Sequence, residues 1–146
     1  MNTRRIFYMS ENWVEDIHQM HSKFGVHEWM KQKMENGETD LLLKFLHFRL
    51  NTIDEEILET RKALIAENWE EVVDGLIDLC VFTITTLDAF GIDGHKAWDE
   101  VYEANMSKEP GVKPGRPNPW GLPDMVKPSG WQAPNHKDNT GIMESL

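Results

Sequence analysis

Asn68-Trp69-Glu70-Glu71-Val72-Val73-Asp74-Gly75-Leu76-Ile77-Asp78-Leu79-Cys80-Val81-Phe82-Thr83-Ile84-Thr85-Thr86-Leu87-Asp88-Ala89-Phe90-Gly91 is the stretch that decides the fold. Its second half, Val81 to Thr86, is rich in β-branched residues and alone would favour a strand. It sits inside an uninterrupted helical pattern, however, so the spacing predicts one buried helix from Trp69 to Phe90. Asn68 is a suitable N-cap and Gly91 a suitable C-cap. Glu70 and Glu71 in the first turn suit the positive end of the helix dipole.

Upstream, a long helix starts near Thr39 and continues to about Glu67. Leu42, Leu46, Leu50, Ile53, Ile57 and Leu64 fall on one side of it at helical spacing. A shorter segment, Val26 to Glu35, ends at Asn36-Gly37. The first helix runs from Ser10 as N-cap to about Lys23, with Gly25 as the stop; Trp13, Ile17, Met20 and Phe24 form its apolar face. Downstream, Asp93 caps a last helix through Trp98, Val101 and Tyr102 to about Lys108. Four to five helices joined by short loops predict an all-α antiparallel helix bundle.

The pattern changes after residue 108. All seven prolines, Pro110, Pro114, Pro117, Pro119, Pro123, Pro128 and Pro134, lie there, so no long helix can form. Residues 1–108 are expected to form the helical domain and 109–146 a proline-rich, non-helical C-terminal tail. Lys113, Arg116, Lys127 and Lys137 accompany Trp120 and Trp131 in the tail. The tryptophans argue for docking on the core or on a neighbouring subunit, because disordered segments are poor in aromatics.

The 146 residues fit one domain with room for a core. A net charge of −10 argues against a nucleic-acid binder, which needs a basic face. An acidic protein can still act on a polyanion if metal ions supply the positive charge. No apolar run reaches membrane-spanning length, so no membrane partner is expected. Residues 1–9 carry Arg4 and Arg5 but no apolar segment of the signal-peptide kind. Cys80 is the lone cysteine, which suits a reducing cytoplasm.

Two carboxylate clusters carry the chemistry. On a helix, residues three or four apart share a face. Glu55, Glu56 and Glu59 meet this spacing, and so do Glu71, Asp74 and Asp78, which span about 60° of arc at roughly 100° per residue. Like charges at this spacing repel, and partial burial worsens the repulsion. Local cations are few: Arg49, Arg61 and Lys62, then nothing basic until Lys96. Hard divalent cations fit the need, because Mg²⁺ takes carboxylate oxygen and keeps several waters. Spacing alone would also fit two wet helix faces. The apolar neighbours of Asp78, Leu76-Ile77 and Leu79 to Phe82, argue for metal binding.

Glu55-Glu56-x-x-Glu59 on one helix, the acids ending in Asp78-Leu79-x-x-Phe82 on the next, and Gly91-Ile92-Asp93 together resemble the all-α nucleoside-triphosphate pyrophosphohydrolase superfamily. That group includes MazG, phosphoribosyl-ATP pyrophosphohydrolase and the dimeric dUTPases; the MazG-like proteins of bacteriophages are the nearest in appearance. Val101 to Lys108 looks like the family's Asn-Met-x-Lys ending, and Ile17 to Gly25 is similar to its first helix. In the family pattern, Glu-x-x-Glu then Glu-x-x-Asp, Glu56 and Glu59 match the first pair and Asp78 the final Asp. The second Glu falls on Gly75, with Asp74 as the stand-in and Glu71 in support. In the alternative register Glu71 and Asp74 form the second pair.

The resemblance implies a MazG-like bundle that hydrolyses (deoxy)nucleoside triphosphates to monophosphate and pyrophosphate with Mg²⁺, for which Mn²⁺ can substitute. Glu56, Glu59, Asp74 and Asp78 would hold the ions, with Glu71 beside them, and Glu55 with Glu56 would serve the chemistry, Glu55 by ordering the attacking water. The ions would bind the triphosphate and acidify a bound water. Asn105 and Lys108 are expected at the phosphates and Phe24 and Trp29 at the base. A homodimer or homotetramer is expected, in the host cytoplasm if the chain is viral.

Two other classes compete. One is a non-catalytic metal- or nucleotide-binding protein of the same fold, with Gly75 marking a decayed site. The other is a di-iron bundle. Glu15-x-x-His18 is one half of the di-iron motif and His18-x-x-His21 has ligand spacing, but the motif is needed twice and occurs once. The six histidines are therefore read as structural or surface residues.

Overall fold

A computed structural model describes residues 10, 12–116 and 118–146. The signal-peptide reading of residues 1–9 and the tail's Pro117 lie outside them. Five helices follow in order: α1 (Trp13–Lys23), α2 (Val26–Glu35), α3 (Thr39–Ile65), α4 (Trp69–Ala89) and α5 (Gly94–Met106). The all-α bundle expected from the sequence is the fold. No helix among the described residues is long and apolar enough to cross a membrane.

The helix ends follow local chemistry. Asn68 and Asp93 cap α4 and α5 as expected, each accepting a backbone N–H three residues on. The α1 cap is Asn12, not Ser10: its side chain accepts the Glu15 N–H at 2.8 Å. Ser10 instead donates its hydroxyl to Asp16. Asn12 is the better cap because its extended backbone already points that oxygen at the first turn. The α3 helix ends two residues before Glu67, which takes a left-handed φ of 55°. The β-prone run stays helical. The Thr85 and Thr86 hydroxyls donate to the Phe82 carbonyl at 3.0 and 2.7 Å, which satisfies buried threonine within a helix.

The described residues form two compact units. The first comprises the chain through Ile92 together with Gly141–Leu146. Within it α3 and α4 make the most extensive helix pair, and α1 and α2 pack on α4. Its core is Met30, Leu42, Ala89 and Phe90, with Trp29, Phe45 and Leu46 against them. Trp29 meets Phe45 edge-on at 5.2 Å, and Phe45 stacks on Phe90 at 6.0 Å. Ile142, Met143 and Leu146, at the far end of the sequence, close this core. They do so by a short 3₁₀ turn, Gly141–Ser145, whose Ile142 N–H donates to the Phe90 carbonyl at 2.9 Å. A Cβ on Gly141 would lie 2.0 Å from that same oxygen, and its φ of 56° also demands glycine.

The second unit is Asp93–Thr140. Here Glu109–Gly111 (β1) pairs antiparallel with Asp124–Val126 (β2), with Pro110 opposite Met125. These strands are too short to show an alternating pattern, so the sequence gives no sign of them. The proline-rich segment is pinned to α5. The Trp131 indole N–H donates to the Ala104 carbonyl at 2.7 Å, and the Asn135 N–H to Glu100 at 2.9 Å. Buried Asn139 accepts the Asp93 N–H and donates to its carbonyl, both at 2.8 Å.

Candidate metal-binding active site

The carboxylate pattern lies on α3 and α4, the helix pair with the most contact. Glu56 is half-buried at this interface, and its carboxyl is held above the ordinary carboxylate range. Partial burial is the first cause. The negative charges of Asp78, Glu59, Asp74 and Glu71 follow in that order. Four of the other five acids thus act on Glu56, and three of those four come from the opposite helix. Glu55 is not among them; it is one residue from Glu56, about 100° around the helix, and exposed.

Asp78 is half-buried, while Glu59, Glu71 and Asp74 are exposed. The neighbours of Asp78 do not bury it in the way the sequence suggests, because Leu76 and Ile77 are themselves 53% and 46% exposed. Among the described residues no lysine or arginine forms an ion pair with any of the six acids. Arg49, the nearest arginine before the cluster in sequence, lies with its guanidinium 4.9 Å over the Phe45 ring.

Gly75 explains how the helices come so close. It is buried, and a Cβ built there would lie 2.1 Å from Thr60 Oγ1 and 3.4 Å from Glu56 Oε1. Thr60 is held in place by its hydroxyl, which donates to the Glu56 carbonyl at 2.8 Å. The donor set is therefore oxygen only, presented by two helices. Glu56, Glu59, Asp74 and Asp78, with Glu71, are carboxylates of the kind a hard divalent cation takes, but no three of them place an oxygen each within 4.8 Å of one another.

The residues expected at the substrate are more scattered. Phe24, at the C-terminal cap of α1, is 70% exposed, with the Lys23 ammonium 5.5 Å from its ring. Trp29 is half-buried and engaged with Phe45 in the core. Asn105 and Lys108 belong to the second unit, where the Lys108 ammonium donates to Asn105 Oδ1 at 2.8 Å. The same ammonium is 5.3 Å from the Trp131 ring, which Lys127 also approaches at 4.5 Å. Trp120 is 81% exposed.

A second convergence was not assembled from the sequence. His18 and His21 on α1 and His27 on α2 all meet Asp88 near the end of α4. His18 Nδ1 lies 2.7 Å from Asp88 Oδ1, and His21 Nδ1 and His27 Nε2 lie 2.6 and 2.7 Å from Oδ2. Burial pushes the His21 imidazole below its ordinary value, with Asp88 only partly offsetting this. Burial alone would raise Asp88, but hydrogen bonds from the three imidazoles hold it below the usual carboxylate range. The His18/His21 spacing is visible in the sequence; their meeting with residues 27 and 88 depends on the turn at Gly25 and on how α1 packs against α4.

A helix pair with carboxylates on both members is what the resemblance to the all-α pyrophosphohydrolases implies. The chain matches the family model for phosphoribosyl-ATP pyrophosphohydrolase over residues 25–105, more than half its length, and it belongs to that family. It thereby falls within the MazG-like all-α nucleoside-triphosphate pyrophosphohydrolases, phosphoanhydride hydrolases that act on nucleotides with a divalent metal. No curated protein matches the chain.

Proposed function

We propose that this protein hydrolyses (deoxy)nucleoside triphosphates to monophosphate and pyrophosphate in a Mg²⁺-dependent reaction. The observation that carries the reading is the set of carboxylates on the paired helices α3 and α4, with Glu56 half-buried between them and no cation paired with it among the described residues; its upward shift agrees. A carboxyl so placed gains most from a divalent cation, which removes the repulsion and offers charge to a polyanion. Glu56, Glu59, Asp74 and Asp78 would hold the metal, with Glu71 alongside. When bound, the metal supplies Lewis acidity to the phosphate oxygens and to a water. Glu55 would order the attacking water and take its proton as the water oxygen bonds to phosphorus. The α–β anhydride bond breaks, and pyrophosphate leaves.

Lys108 offers a point charge to phosphate, Asn105 positions it, and Phe24 and Trp29 are assigned to the base. Large exposed apolar side chains on α3 and α4, among them Leu58, Leu64, Ile65, Val73 and Leu76, support assembly into a homodimer or homotetramer. The single half-buried thiol of Cys80 suits a reducing cytoplasm.

The test is pyrophosphate release from a panel of dNTPs, NTPs and phosphoribosyl-ATP with Mg²⁺, for the native protein and Asp78→Asn. The expected result is metal-dependent release from at least one nucleoside triphosphate. Asp78→Asn should lose more than the ~100-fold upper range typical of outer-shell changes. Release from phosphoribosyl-ATP alone would refute the substrate assignment; equal rates in the two proteins would refute the placement of Asp78.

A further inference from the structure

We propose that His18, His27 and Asp88, with His21 holding the aspartate in place, form a second metal site, which takes a transition-metal divalent cation such as Zn²⁺ and is separate from the carboxylate site on α3 and α4. Three imidazoles and one carboxylate from three helices meet within hydrogen-bond distance. One ligand atom each from His18, His27 and Asp88 lie within 4.8 Å of one another; His21 stands outside that group and bonds the same carboxylate through Nδ1 at 2.6 Å. The donor set differs in kind from the first site. Oxygen-only clusters suit Mg²⁺, whereas imidazole nitrogen selects zinc and its transition-metal neighbours.

The ligands have the mobility that filling would need. The edge of a tetrahedron around Zn²⁺, with bonds of about 2.0–2.1 Å, is roughly 3.4 Å. The His18 and His27 nitrogens, each 2.7 Å from an Asp88 oxygen, must therefore move out by about 0.7 Å, while His21 keeps its bond to the carboxylate. The His21 side chain is 6% exposed and Asp88 12%, so these two are the fixed anchors. The His18 side chain is 59% exposed and that of His27 31%, so their rings have room to swing outward.

His27 also has the outer partner expected of a metal-ligating histidine. Its Nδ1 is 3.1 Å from Ser22 Oγ while its Nε2 faces Asp88. Without metal, the serine hydroxyl donates to Nδ1 and Nε2–H donates to Asp88. With metal, Nδ1–H donates to the serine oxygen and leaves the Nε2 lone pair for the cation. One serine thus serves both states, and the aspartate's two oxygens accept three N–H donors in the first and bind metal in the second. Asp88 is ten residues beyond Asp78 on α4, about 15 Å along the helix axis. Filling the site staples α1 and α2 to the end of α4 and leaves the hydrolytic carboxylates untouched.

The experiment uses the full chain, stripped with chelator and held in excess Mg²⁺ to occupy the carboxylate site. Zn²⁺ uptake is measured by titration and elemental analysis, with thermal unfolding as the second readout. The expected result is one Zn²⁺ per chain and a raised melting temperature. Both effects should be lost in His18→Ala and His27→Ala, and Ser22→Ala should bind about tenfold more weakly. The double variant Glu56→Gln/Asp78→Asn should bind Zn²⁺ like the native protein. His18 is exposed, so its variant stays folded even if His21→Ala does not. Uptake unchanged in His18→Ala and His27→Ala, or abolished by the double variant, would overturn the proposal. So would no uptake at all.

Discussion

Replacing Gly75 by alanine separates two opposite expectations for the same methyl group. In an unconstrained helix interior, glycine to alanine stabilises by about 1 kcal/mol. At Gly75 the new Cβ would sit 2.1 Å from Thr60 Oγ1 and 3.1 Å from Thr60 Cβ. Turning the hydroxyl away breaks its bond to the Glu56 carbonyl, at a cost of about 1 kcal/mol. The Cβ contact remains and forces the helices apart, and overpacking of this kind costs about 1–3 kcal/mol. Set against the propensity gain, Gly75→Ala should destabilise by about 1–3 kcal/mol, roughly a 2–12 °C fall in melting temperature for a chain this size. Adding Thr60→Ala removes the colliding oxygen and should recover about half the loss, a coupling within the range measured for residues in contact. Equilibrium urea unfolding at fixed protein concentration is the assay. A Gly75→Ala protein more stable than native, or no coupling to Thr60, would refute the close approach of α3 and α4 at this point.

Glu56→Gln should raise the melting temperature of the metal-free protein, since it removes a half-buried acid facing four others, while abolishing Mg²⁺-dependent turnover; a stability loss in chelator would contradict the repulsion. Glu67→Gly should stabilise by about 0.5–1 kcal/mol, because a left-handed non-glycine residue costs about 1–2 kcal/mol and glycine returns part of that as entropy. The metal-free protein should lose stability as pH falls below 6.5, the ordinary imidazole value. His21 is depressed when folded, so the unfolded chain takes up its proton first, and stability is complete only above that pH. Depressed Asp88 adds a further loss below the carboxylate range. Urea midpoints across pH check both, and Asp88→Asn should remove the lower limb.

The helices were legible because their signals are local. Asn68, Asp93 and Gly25 mark termini through their own side chains or lack of one, and the apolar spacing of α3 and α4 outweighs the β-branched run at Val81 to Thr86. The acids were legible for the same reason, since spacing along one helix fixes a shared face. What the sequence could not hold is distance between helices. The His18/His21 pair reads as structural or surface residues in the sequence; only the packing of α1 against α4 brings Asp88 to it. Trp29 carries the composition of a stacking residue, but only packing places it edge-on to Phe45. Gly141 is one of several glycines in a proline-rich segment, and nothing local distinguishes it from the rest. Its role depends on the Phe90 carbonyl, fifty-one positions earlier in the chain.

Measured against the family's second pair of acids, Gly75 reads as a lost ligand, which favours a binding protein with a decayed site. The packing gives it another reason to be glycine. A side chain at 75 would point into Thr60 and toward Glu56, not outward beside Asp74 and Asp78. A glutamate there would have to hold the helices apart, and α4 would then carry its charges farther from Glu56. With glycine, α4 comes close enough for Asp78, Asp74 and Glu71 all to act on Glu56 from the opposite helix. The missing carboxylate and the raised Glu56 are therefore two consequences of one close crossing. On this account a carboxylate restored at 75 should lower metal affinity, whereas on the decayed-site account it should raise it. Mg²⁺ titration of Gly75→Glu, with unfolding measured alongside to show that the bundle persists, decides between them.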